Sequence, residues 1–378
     1  MSWAAWAQDE LDAVRSEGRW RQPRDFDATG PTGSLDGRRE VVSFASNDYL
    51  GLSAHPAVKA AATQALERWG TGSGSARLIV GSRPVHTELE TELATWKTTE
   101  AAVLFSTGYA ANLGTIGTLA RAGGTILSDE LNHASIIDGC RLSRARVGIY
   151  RHRDMDHLDQ LLGETLGPAV VVTDSVFSMD GDVAPLEELA QRCAIRGALL
   201  VIDEAHGVLG PEIAAVDGVE VLRVGTLSKT LGSLGGFVAG SLSICQLVIN
   251  RARSYIFTTA ATPADSAAAL AALRVLRSPE GDQLIDRLRR HVGRLVPGHP
   301  SPIIPVMIGD QGAALTAAAD LLDRGLFVPA IRPPTVAPGT SRLRITLSAA
   351  HLDGHVDQLL DALAELRLPL PGHAALAT

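Results

Sequence analysis

Short apolar runs alternate with segments of helical periodicity from about residue 100 onwards. The apolar runs predict strands at 101–105, 125–127, 147–150, 169–173, 198–202, 221–224 and 236–239. Between most of them, apolar residues recur every three or four positions and predict helices at 109–120, 134–142, 155–162 and 186–196. The run at 198–202 is apolar without alternation, which is typical of a strand buried on both faces. The pattern therefore predicts an α/β fold with a mainly parallel central sheet covered by helices on both faces.

The segments on either side of this alternation have a different pattern. Residues 1–17 have a helical period, 30–39 form a turn-rich connection, 41–44 resemble a short strand, and the alanine-rich stretch 260–272 is typical of a helix. Beyond residue 280 we predict a helix (282–292), a turn (297–302), a strand (303–308), a helix ended by Gly325 (313–324), strands at 327–331 and 342–347, and a final helix. The predicted parts are an N-terminal helix and connection (1–40), a large domain (41–280) and a small C-terminal α/β domain (281–378).

Composition excludes several classes of function. The 378 residues are 46% hydrophobic and 20% charged, as expected for a folded chain with a sizeable core. The net charge of −8 disfavours nucleic acid and anionic membranes as partners. No apolar stretch approaches the roughly 18 residues of a membrane span, and the first 20 residues lack the apolar core of a signal peptide, so we expect a cytoplasmic protein. Three scattered cysteines, Cys140, Cys193 and Cys245, predict small buried residues rather than disulfides or a zinc cluster.

Polar residues follow the predicted strands at the edge where ligands bind in open parallel sheets. The sequence DEAHG at 203–207 follows one strand, and GTLSKTLG at 225–232 follows the next. Asp203 lies three residues before His206, and Lys229 lies 26 positions after Asp203 (203 to 229). Such a set suits pyridoxal phosphate, which needs a lysine for its Schiff base and a carboxylate to keep its pyridine nitrogen protonated.

The same edge of the predicted sheet offers groups for the phosphate of this cofactor. Gly108 and Tyr109 open a predicted helix, whose first turn supplies free N–H groups and a favourable dipole. Ser178 and Thr226 add hydroxyl groups after two other strands, and His133 directly precedes the helix predicted at 134–142. We therefore expect these polar groups to converge on one rim.

Four segments in the same order resemble the α-oxoamine synthases: SNDYLGL at 46–52, GSGSAR at 72–77, DEAHG at 203–207 and TLSK at 226–229. The resemblance extends over about residues 1 to 365. It implies a fold-type I pyridoxal phosphate enzyme, with a large three-layer domain and a small C-terminal domain, that condenses an amino acid with an acyl thioester and releases CO2. One departure is the stretch after His206, which is about two residues shorter than is usual in the family.

The resemblance implies a role for each matching residue toward the cofactor. The implied contacts are Lys229 (Schiff base), Asp203 (pyridinium proton), His206 (phenolic oxygen), His133 (stacking on the ring), and Gly108, Tyr109, Ser178 and Thr226 (phosphate). It also implies a homodimer, in which Thr258 and Thr259 reach the phosphate of the neighbouring subunit.

The implied substrate contacts are Arg21, Asn47, His133, Arg332, Thr335 and Arg344. Arg344 matches the family's arginine for the amino-acid carboxylate, which a guanidinium can hold through two hydrogen bonds. The segment AIRPPTV at 330–336 is similar to the form found in the members that condense L-alanine with a pimeloyl thioester in biotin synthesis. In that form Arg332 receives the far end of the acyl chain, and Arg21 matches a second contact.

Members of the family that use glycine or serine remain an alternative, of the 2-amino-3-ketobutyrate coenzyme A ligase or 5-aminolevulinate synthase type. The sequence also leaves open whether the acyl group is carried by coenzyme A or by an acyl carrier protein.

Three readings outside the family have less support from the residues. A DEAH-type ATPase would need a phosphate loop of the form GxxxxGK[ST], which the segment around Lys229 does not provide. A metal site from Asp129, Glu130 and His133 would lack a second histidine at ligand spacing. A non-enzymatic scaffold would be expected to lack Lys229 or Asp203, and both are present.

Several other residues match no functional pattern. His86, His152 and His157 have no partners at characteristic spacing, so we expect solvated side chains. Trp69 and Trp96 lie at predicted helix ends, where core or interface packing is expected.

Overall fold

The alternation of strands and helices is present in the structure, a computed structural model that describes residues 1–120, 123–213 and 216–372. The strands are β1 (Phe26–Asp27), β2 (Thr32–Leu35), β3 (Arg39–Ser43), β4 (Ala101–Phe105), β5 (Thr125–Asp129), β6 (Arg146–Tyr150), β7 (Ala169–Asp174), β8 (Leu199–Asp203), β9 (Val221–Thr226), β10 (Gly236–Gly240), β11 (Ile303–Gly309), β12 (Leu326–Phe327), β13 (Ala330–Ile331) and β14 (Ser341–Thr346). The helices are α1 (Trp3–Ser16), α2 (Pro56–Trp69), α3 (Pro84–Lys97), α4 (Gly108–Leu119), α5 (Ala134–Leu142), α6 (Met155–Glu164), α7 (Leu186–Arg196), α8 (Leu242–Arg251), α9 (Arg253–Ile256), α10 (Pro263–Leu276), α11 (Pro279–Leu295), α12 (Gln311–Asp323) and α13 (Asp353–Glu365).

Seven of these strands form the central sheet, in the spatial order β4-β10-β9-β8-β7-β5-β6. The pairs among β9, β8, β7, β5 and β6 are parallel, whereas β10 runs antiparallel to both β4 and β9. Asp174 pairs with Asp203 across β7 and β8, and Asp203 pairs with Val224 across β8 and β9. The carboxyl ends of these parallel strands therefore meet at one edge, and the predicted fold class is confirmed.

The sheet is buried on both faces because successive residues of its strands point into two separate cores. Val201 lies in a core beneath α4 and α5, while its neighbours Leu200 and Ile202 lie in a second core beneath α6 and α7. All three side chains are fully buried. Burying apolar area on both faces, at about 25 cal/mol per Å², is the main term that holds such strands in place.

The three cysteines are part of these two cores, as predicted. Cys140 and Cys245 lie in the first core and Cys193 in the second, and all three thiols are free. Each behaves as a small buried apolar residue.

Two predictions about local structure are wrong. The turn-rich segment 30–39 contains β2, which pairs antiparallel with β3; Asp36 and Gly37 adopt positive φ angles of 54° and 63° and turn the chain between the two strands. The predicted strand 327–331 is two strands: β12 pairs with β3, and β13 pairs with β14. Pro329 lies between them and has no N–H to continue a ladder.

The chain divides into two compact units. The first consists of residues 1–45, 305–345 and 358–378, and the second of residues 46–304 and 346–357. The first unit holds β1, β2, β3 and β12 in a four-stranded sheet, whereas the second holds the central sheet. This division differs from the predicted boundaries near residues 40 and 280, because the chain crosses between the units several times. No described helix is long and apolar enough to cross a membrane.

Candidate active site

A cavity of about 250 Å³ lies at the carboxyl edge of the central sheet. It collects residues at or just after the ends of β4, β5, β7, β8 and β9, which are far apart in sequence. The lining residues are Thr107, Gly108, Tyr109, Asn112, His133, Ser135, Asp174, Asp203, Ala205, His206, Gly225, Thr226, Ser228, Lys229 and Leu234. Seven of the predicted site residues are among them, in agreement with the expected convergence on one rim.

Lys229 is held at this cavity by a chain of side-chain contacts. Its Nζ lies 2.8 Å from His206 Nε2, and His206 Nδ1 lies 2.5 Å from the Tyr49 hydroxyl. The Tyr49 hydroxyl donates to Asn47 Oδ1 at 3.2 Å. Because the Tyr49 proton is directed to Asn47, the hydrogen bond between Tyr49 and His206 is donated by His206 Nδ1. The chain fixes the direction of the lysine.

Asp203 ends β8 and is buried, with 5% of its surface exposed. Its Oδ2 accepts from Asn112 Nδ2 at 2.6 Å, and its Oδ1 accepts from the Ala205 N–H at 2.9 Å. The same Asn112 nitrogen lies 2.8 Å from Ser135 Oγ. Both hydrogen bonds to Asp203 come from neutral groups, so they orient the carboxylate without neutralising its charge.

His133 caps the N-terminus of α5, where its Nδ1 lies 3.2 Å from the Ser135 N–H and 2.8 Å from Ser135 Oγ. The backbone N–H of His133 donates to Asp174 Oδ2 at 2.8 Å. Burial lowers the pKa of His133, the Asp203 carboxylate opposes this, and the Lys229 cation lowers it further, with a net decrease. His133 is therefore a neutral ring at neutral pH.

Asp174 is a buried acid directly beside this group. Burial raises its pKa well above the usual range, and the nearby charge of Asp203 adds to the effect. A neutral Asp174 can still accept from the His133 N–H while avoiding repulsion with Asp203. The site therefore holds Asp174 as a protonated acid beside the carboxyl group of Asp203.

The N-terminus of α4 forms another part of the cavity wall. Thr107 caps the helix by accepting from the Ala110 N–H at 3.0 Å, and the N–H groups of Gly108 and Tyr109 belong to the first turn, which lacks intrahelical acceptors. A Cβ on Gly108 would lie 3.1 Å from Thr226 Cβ, so a side chain there would crowd this wall. The Thr226 and Ser228 hydroxyls lie 2.8 Å apart beside it. This arrangement suits an anion.

Some predicted residues do not line this cavity. Ser178 lies in the loop after β7, outside the lining set, and Thr258 and Thr259 line a separate small cleft with Arg77. Asn47 contacts the Tyr49 hydroxyl, which in turn contacts His206. The roles of these four residues stay predictions.

The four remaining predicted substrate residues belong to the first unit. Arg21 donates to Thr335 Oγ1 at 3.3 Å, and Arg332 donates to the Trp20 carbonyl at 2.8 Å. Arg344 is buried in β14. Their predicted substrate contacts are likewise untested by this geometry.

The expectation that three other histidines are solvated is wrong. His86 is fully buried, accepts from the Arg83 N–H at 2.8 Å and contacts the Ala261 carbonyl at 2.9 Å. His152 lies between two carboxylates, and half-buried His157 accepts from the Arg151 N–H at 3.0 Å. Each partner comes from a turn or a distant segment, which one-dimensional spacing does not reveal.

Sequence reasoning also missed several residues of the site, namely Tyr49, Asn112, Ser135, Asp174 and Ser228. Asn112 left one usable signal: it is a polar residue on the buried face of α4, between Ala111 and Gly114. A buried amide on an apolar helix face requires a hydrogen-bond partner.

The acid next to Asp203 is differently placed. Glu204 is paired with Lys97 at 2.6 Å and with Arg223 at 2.5 Å. Burial raises the pKa of Glu204, but the two cations outweigh it and hold the pKa below its usual value. Glu204 is thus already committed to two cations, whereas an ATPase of the DEAH type would use it at a magnesium nucleotide.

Comparison with known proteins gives a consistent result. A sequence model of the family described as aminotransferase class I and II matches residues 39–363. The chain is similar to the 8-amino-7-oxononanoate synthases of Anaeromyxobacter dehalogenans (48% identical, covering 97% of this chain and 96% of that protein) and Geobacter sulfurreducens (45% identical, covering 94% and 96%). Its fold is similar to that of a serine palmitoyltransferase from S. paucimobilis with bound PLP–myriocin aldimine (31% identical, TM-score 0.88, covering 95% of this chain and 96% of that one).

Proposed function

The chain belongs to the class I and II aminotransferase family, and from this premise we propose that it condenses L-alanine with a pimeloyl thioester. The products are 8-amino-7-oxononanoate, carbon dioxide and a free thiol, and the reaction belongs to biotin synthesis. The similar proteins support this reaction over the serine-using one. The chain is 48% identical to the 8-amino-7-oxononanoate synthase of Anaeromyxobacter dehalogenans and 31% identical to the serine palmitoyltransferase.

One observation carries the chemistry. The sequence contains three lysines, Lys59, Lys97 and Lys229, and all three are among the described residues. Lys59 is exposed on α2, and Lys97 is paired with Glu204. Lys229 alone of the three lines the cavity that also contains Asp203 and His133. The lysine and the carboxylate that pyridoxal phosphate requires therefore share one cavity.

The residues around the cavity fit this cofactor. Asp203 would keep the proton on its pyridine nitrogen, His133 would pack on the ring as a neutral imidazole, and His206 would contact its phenolic oxygen. The first turn of α4, with Thr226, would hold the phosphate at the wall where Gly108 leaves room. When bound, pyridoxal phosphate supplies an electron sink that stabilises negative charge on the amino-acid Cα.

The chain's own groups then move the protons and orient the substrates. The Lys229 amine removes the Cα proton of alanine and later returns a proton to Cα, with His206 directing it from 2.8 Å. A carbon–carbon bond forms between alanine Cα and the thioester carbonyl carbon, and the carbon–sulfur bond breaks to release the thiol. The bond from Cα to the alanine carboxyl group breaks to release CO2.

For the substrates, we assign Arg344 to the carboxylate of alanine. Its guanidinium can make two parallel hydrogen bonds to a carboxylate. Arg332, Arg21 and Thr335 are assigned to the far end of the pimeloyl chain. Asn47, which contacts the Tyr49 hydroxyl, is assigned as a further substrate-binding residue. The mutual contact of Arg21 and Thr335 supports a shared role for these two.

A homodimer completes the proposal. Thr258 and Thr259 share a cleft with Arg77, the first residue of the segment Arg77–Gly81. Within that segment Ile79 and Val80 are 73% and 68% exposed, which is unusual for two adjacent large apolar residues on a free surface. Sedimentation at several protein concentrations is expected to show a dimer, and a monomer at all of them would contradict this part.

The activity is tested by product analysis. The purified protein, loaded with pyridoxal phosphate, is incubated with pimeloyl-coenzyme A or a pimeloyl-acyl carrier protein and with L-alanine, glycine or L-serine separately. We expect mass spectrometry to find 8-amino-7-oxononanoate with L-alanine and none with the Lys229→Ala control. If a condensation product forms from glycine or serine but not from alanine, the proposed type of reaction stands and the proposed amino-acid substrate is wrong.

A further inference from the structure

His152 lies between two carboxylates that belong to two different loops. Its Nδ1 lies 2.9 Å from Asp129 Oδ1, and its Nε2 lies 2.7 Å from Asp182 Oδ2. Its ring is perpendicular to that of Phe177, with 4.4 Å between the centroids. Because each ring nitrogen faces an acceptor, both must carry a proton for the two hydrogen bonds to form, and the ring is an imidazolium.

The first of these loops leads to His133. Asp129 ends β5 four residues before His133, and its Oδ1 also accepts from the Leu131 N–H at 2.9 Å. The next turn is closed by Asn132, whose N–H donates to the Asp129 carbonyl at 3.3 Å. The position of the Asp129 side chain thus sets the path of the backbone that presents His133.

The second loop carries Ser178. Two backbone hydrogen bonds close this loop. The Phe177 N–H donates to the Asp182 carbonyl at 3.0 Å, and the Gly181 N–H donates to the Phe177 carbonyl at 2.8 Å. Ser178 directly follows Phe177, the residue on which the His152 ring packs. Asp182 and Phe177 therefore connect His152 to both ends of the short loop that holds Ser178.

We propose that His152 is a positioning residue that ties the loop carrying His133 to the loop carrying Ser178, and so fixes the shape of the cofactor site. His152 does not line the cavity at Lys229 and acts only through these two loops. The inference rests on the proposed function, namely that this cavity binds pyridoxal phosphate, and on the predicted contact of Ser178, which lies outside the cavity lining, with the phosphate.

The surrounding charges favour the doubly protonated ring. Burial lowers the pKa of His152, but the hydrogen bonds that its ring donates to Asp129 and Asp182 outweigh this effect and raise the pKa to about 9. Other charged groups face the same region. Glu130 accepts from the backbone N–H of His152 at 2.8 Å, and Arg153 donates to Asp182 at 3.1 Å. The cleft beside the ring is also lined by Asp154, Asp156, Glu188 and Arg192.

The direction of the pH effect follows from this shift. Because the folded-state pKa is raised above the ordinary value of 6.5, the contribution of the tie is complete below that value and is lost as the pH rises through about 9. Above that pH the neutral ring can donate to only one of the two carboxylates.

The test is to measure the dissociation constant of pyridoxal phosphate for the wild type, His152→Gln, Asp182→Asn and Arg192→Gln. His152→Gln removes the ring that contacts both carboxylates, and Asp182→Asn removes the charge of one of those carboxylates. Arg192→Gln is the matched control, since it removes a cation from the same cleft without touching either loop. We expect His152→Gln to weaken cofactor binding about tenfold, which is about 1.4 kcal/mol, Asp182→Asn to weaken it less, and Arg192→Gln to leave it unchanged.

Two further readouts separate positioning from a general loss of folding. As the pH rises through about 9 and His152 loses its proton, the cofactor affinity of the wild type and of Arg192→Gln is expected to fall. His152→Gln has no such group, so its affinity is expected to lack this fall. The visible circular dichroism of the bound cofactor is expected to change in His152→Gln while the far-ultraviolet spectrum does not.

The possible outcomes are distinct. If the wild type and His152→Gln bind pyridoxal phosphate equally and share the step near pH 9, the tie is wrong although the proposed function stands. If the wild type itself does not bind pyridoxal phosphate, the proposed function fails and this inference fails with it.

Discussion

Asp203 and Glu204 are adjacent acids at the end of β8, yet they have opposite surroundings. Asp203 faces the 250 Å³ cavity and accepts two hydrogen bonds from neutral groups. Glu204 faces a larger cavity of about 580 Å³ and is paired with two cations, Lys97 and Arg223. Successive residues of a strand point to opposite faces of the sheet, so one residue step separates these two environments.

The difference shows what makes a buried carboxylate useful to a ligand. Lys97 and Arg223 balance the charge of Glu204 within the protein, so it has little attraction left for a bound molecule. The carboxyl group of Asp203 is oriented by the neutral amide of Asn112, which leaves it available to a protonated partner. We therefore assign the proposed chemistry to the smaller cavity, so the larger cavity is not the one that we propose as the active site.

The strongest way to break this comparison is Asp203→Asn. The substitution keeps the shape and the hydrogen-bonding size of the side chain but removes the charge that holds the pyridinium proton. We expect turnover to fall by about 10³-fold, as when a buried electrostatic contact to the reacting group is lost, with little change in the urea unfolding midpoint. A variant with near wild-type turnover would remove Asp203 from its proposed role.

Glu204→Gln is expected to have the converse effect. It leaves Lys97 and Arg223, which are mostly but not fully buried, without their shared carboxylate, and breaking a buried pair in this way costs about 3 kcal/mol. Urea denaturation should therefore show a large loss in the free energy of unfolding, while turnover below the unfolding transition stays close to that of the wild type. If stability were unchanged and turnover abolished, the assignment of the two acids would be reversed.

Asn112→Leu sharpens the contrast at smaller scale. It removes one hydrogen bond from the Asp203 carboxylate, and such bonds contribute about 1.5–3 kcal/mol, so we expect turnover to fall by about tenfold to a hundredfold. Thr115→Val, on the same helix, is the control, because Thr115 Oγ1 is buried without a hydrogen-bond partner among the residues that the structure describes, so its removal costs little. Equal losses in both variants would indicate a packing effect on α4 instead.

The smallest expected effect concerns the cores on the two faces of the sheet. Burial raises the pKa of Cys140 and Cys245 to about 11 and that of Cys193 to about 12. Below those values the thiols remain protonated, so a thiol-reactive dye at pH 8 should modify none of them in the native protein and all three after denaturation. Rapid labelling of the native protein would show that one face of the sheet is open.

The sequence is sufficient to predict the strands and helices of the central sheet, because their apolar patterns are local. It also identifies Asp203, His206 and Lys229, which lie close together in sequence after two neighbouring strands. The partners of these residues are not predictable in the same way. Asn112 is 91 positions from Asp203, and Tyr49 is 157 positions from His206.

Similar limits apply to the misread histidines. His152 is bonded to Asp182 across 30 positions, and His86 to the Ala261 carbonyl across 175. Such contacts depend on how the chain folds back on itself, and a single sequence holds no periodic signal for them. The division between Asp203 and Glu204 belongs to the same class, since Lys97 and Arg223 come from different elements of the fold.

The most direct measurement is the site of cofactor attachment. The protein loaded with pyridoxal 5'-phosphate is reduced with borohydride, digested and examined by mass spectrometry, with Lys59 and Lys97 as internal controls in the same chain. We expect the phosphopyridoxyl group on the peptide that contains Lys229 and on neither of the other two lysines. Its presence on Lys97 or Lys59 with Lys229 unmodified, or its absence from all three, would contradict the placement of the active site on the Asp203 side of the sheet.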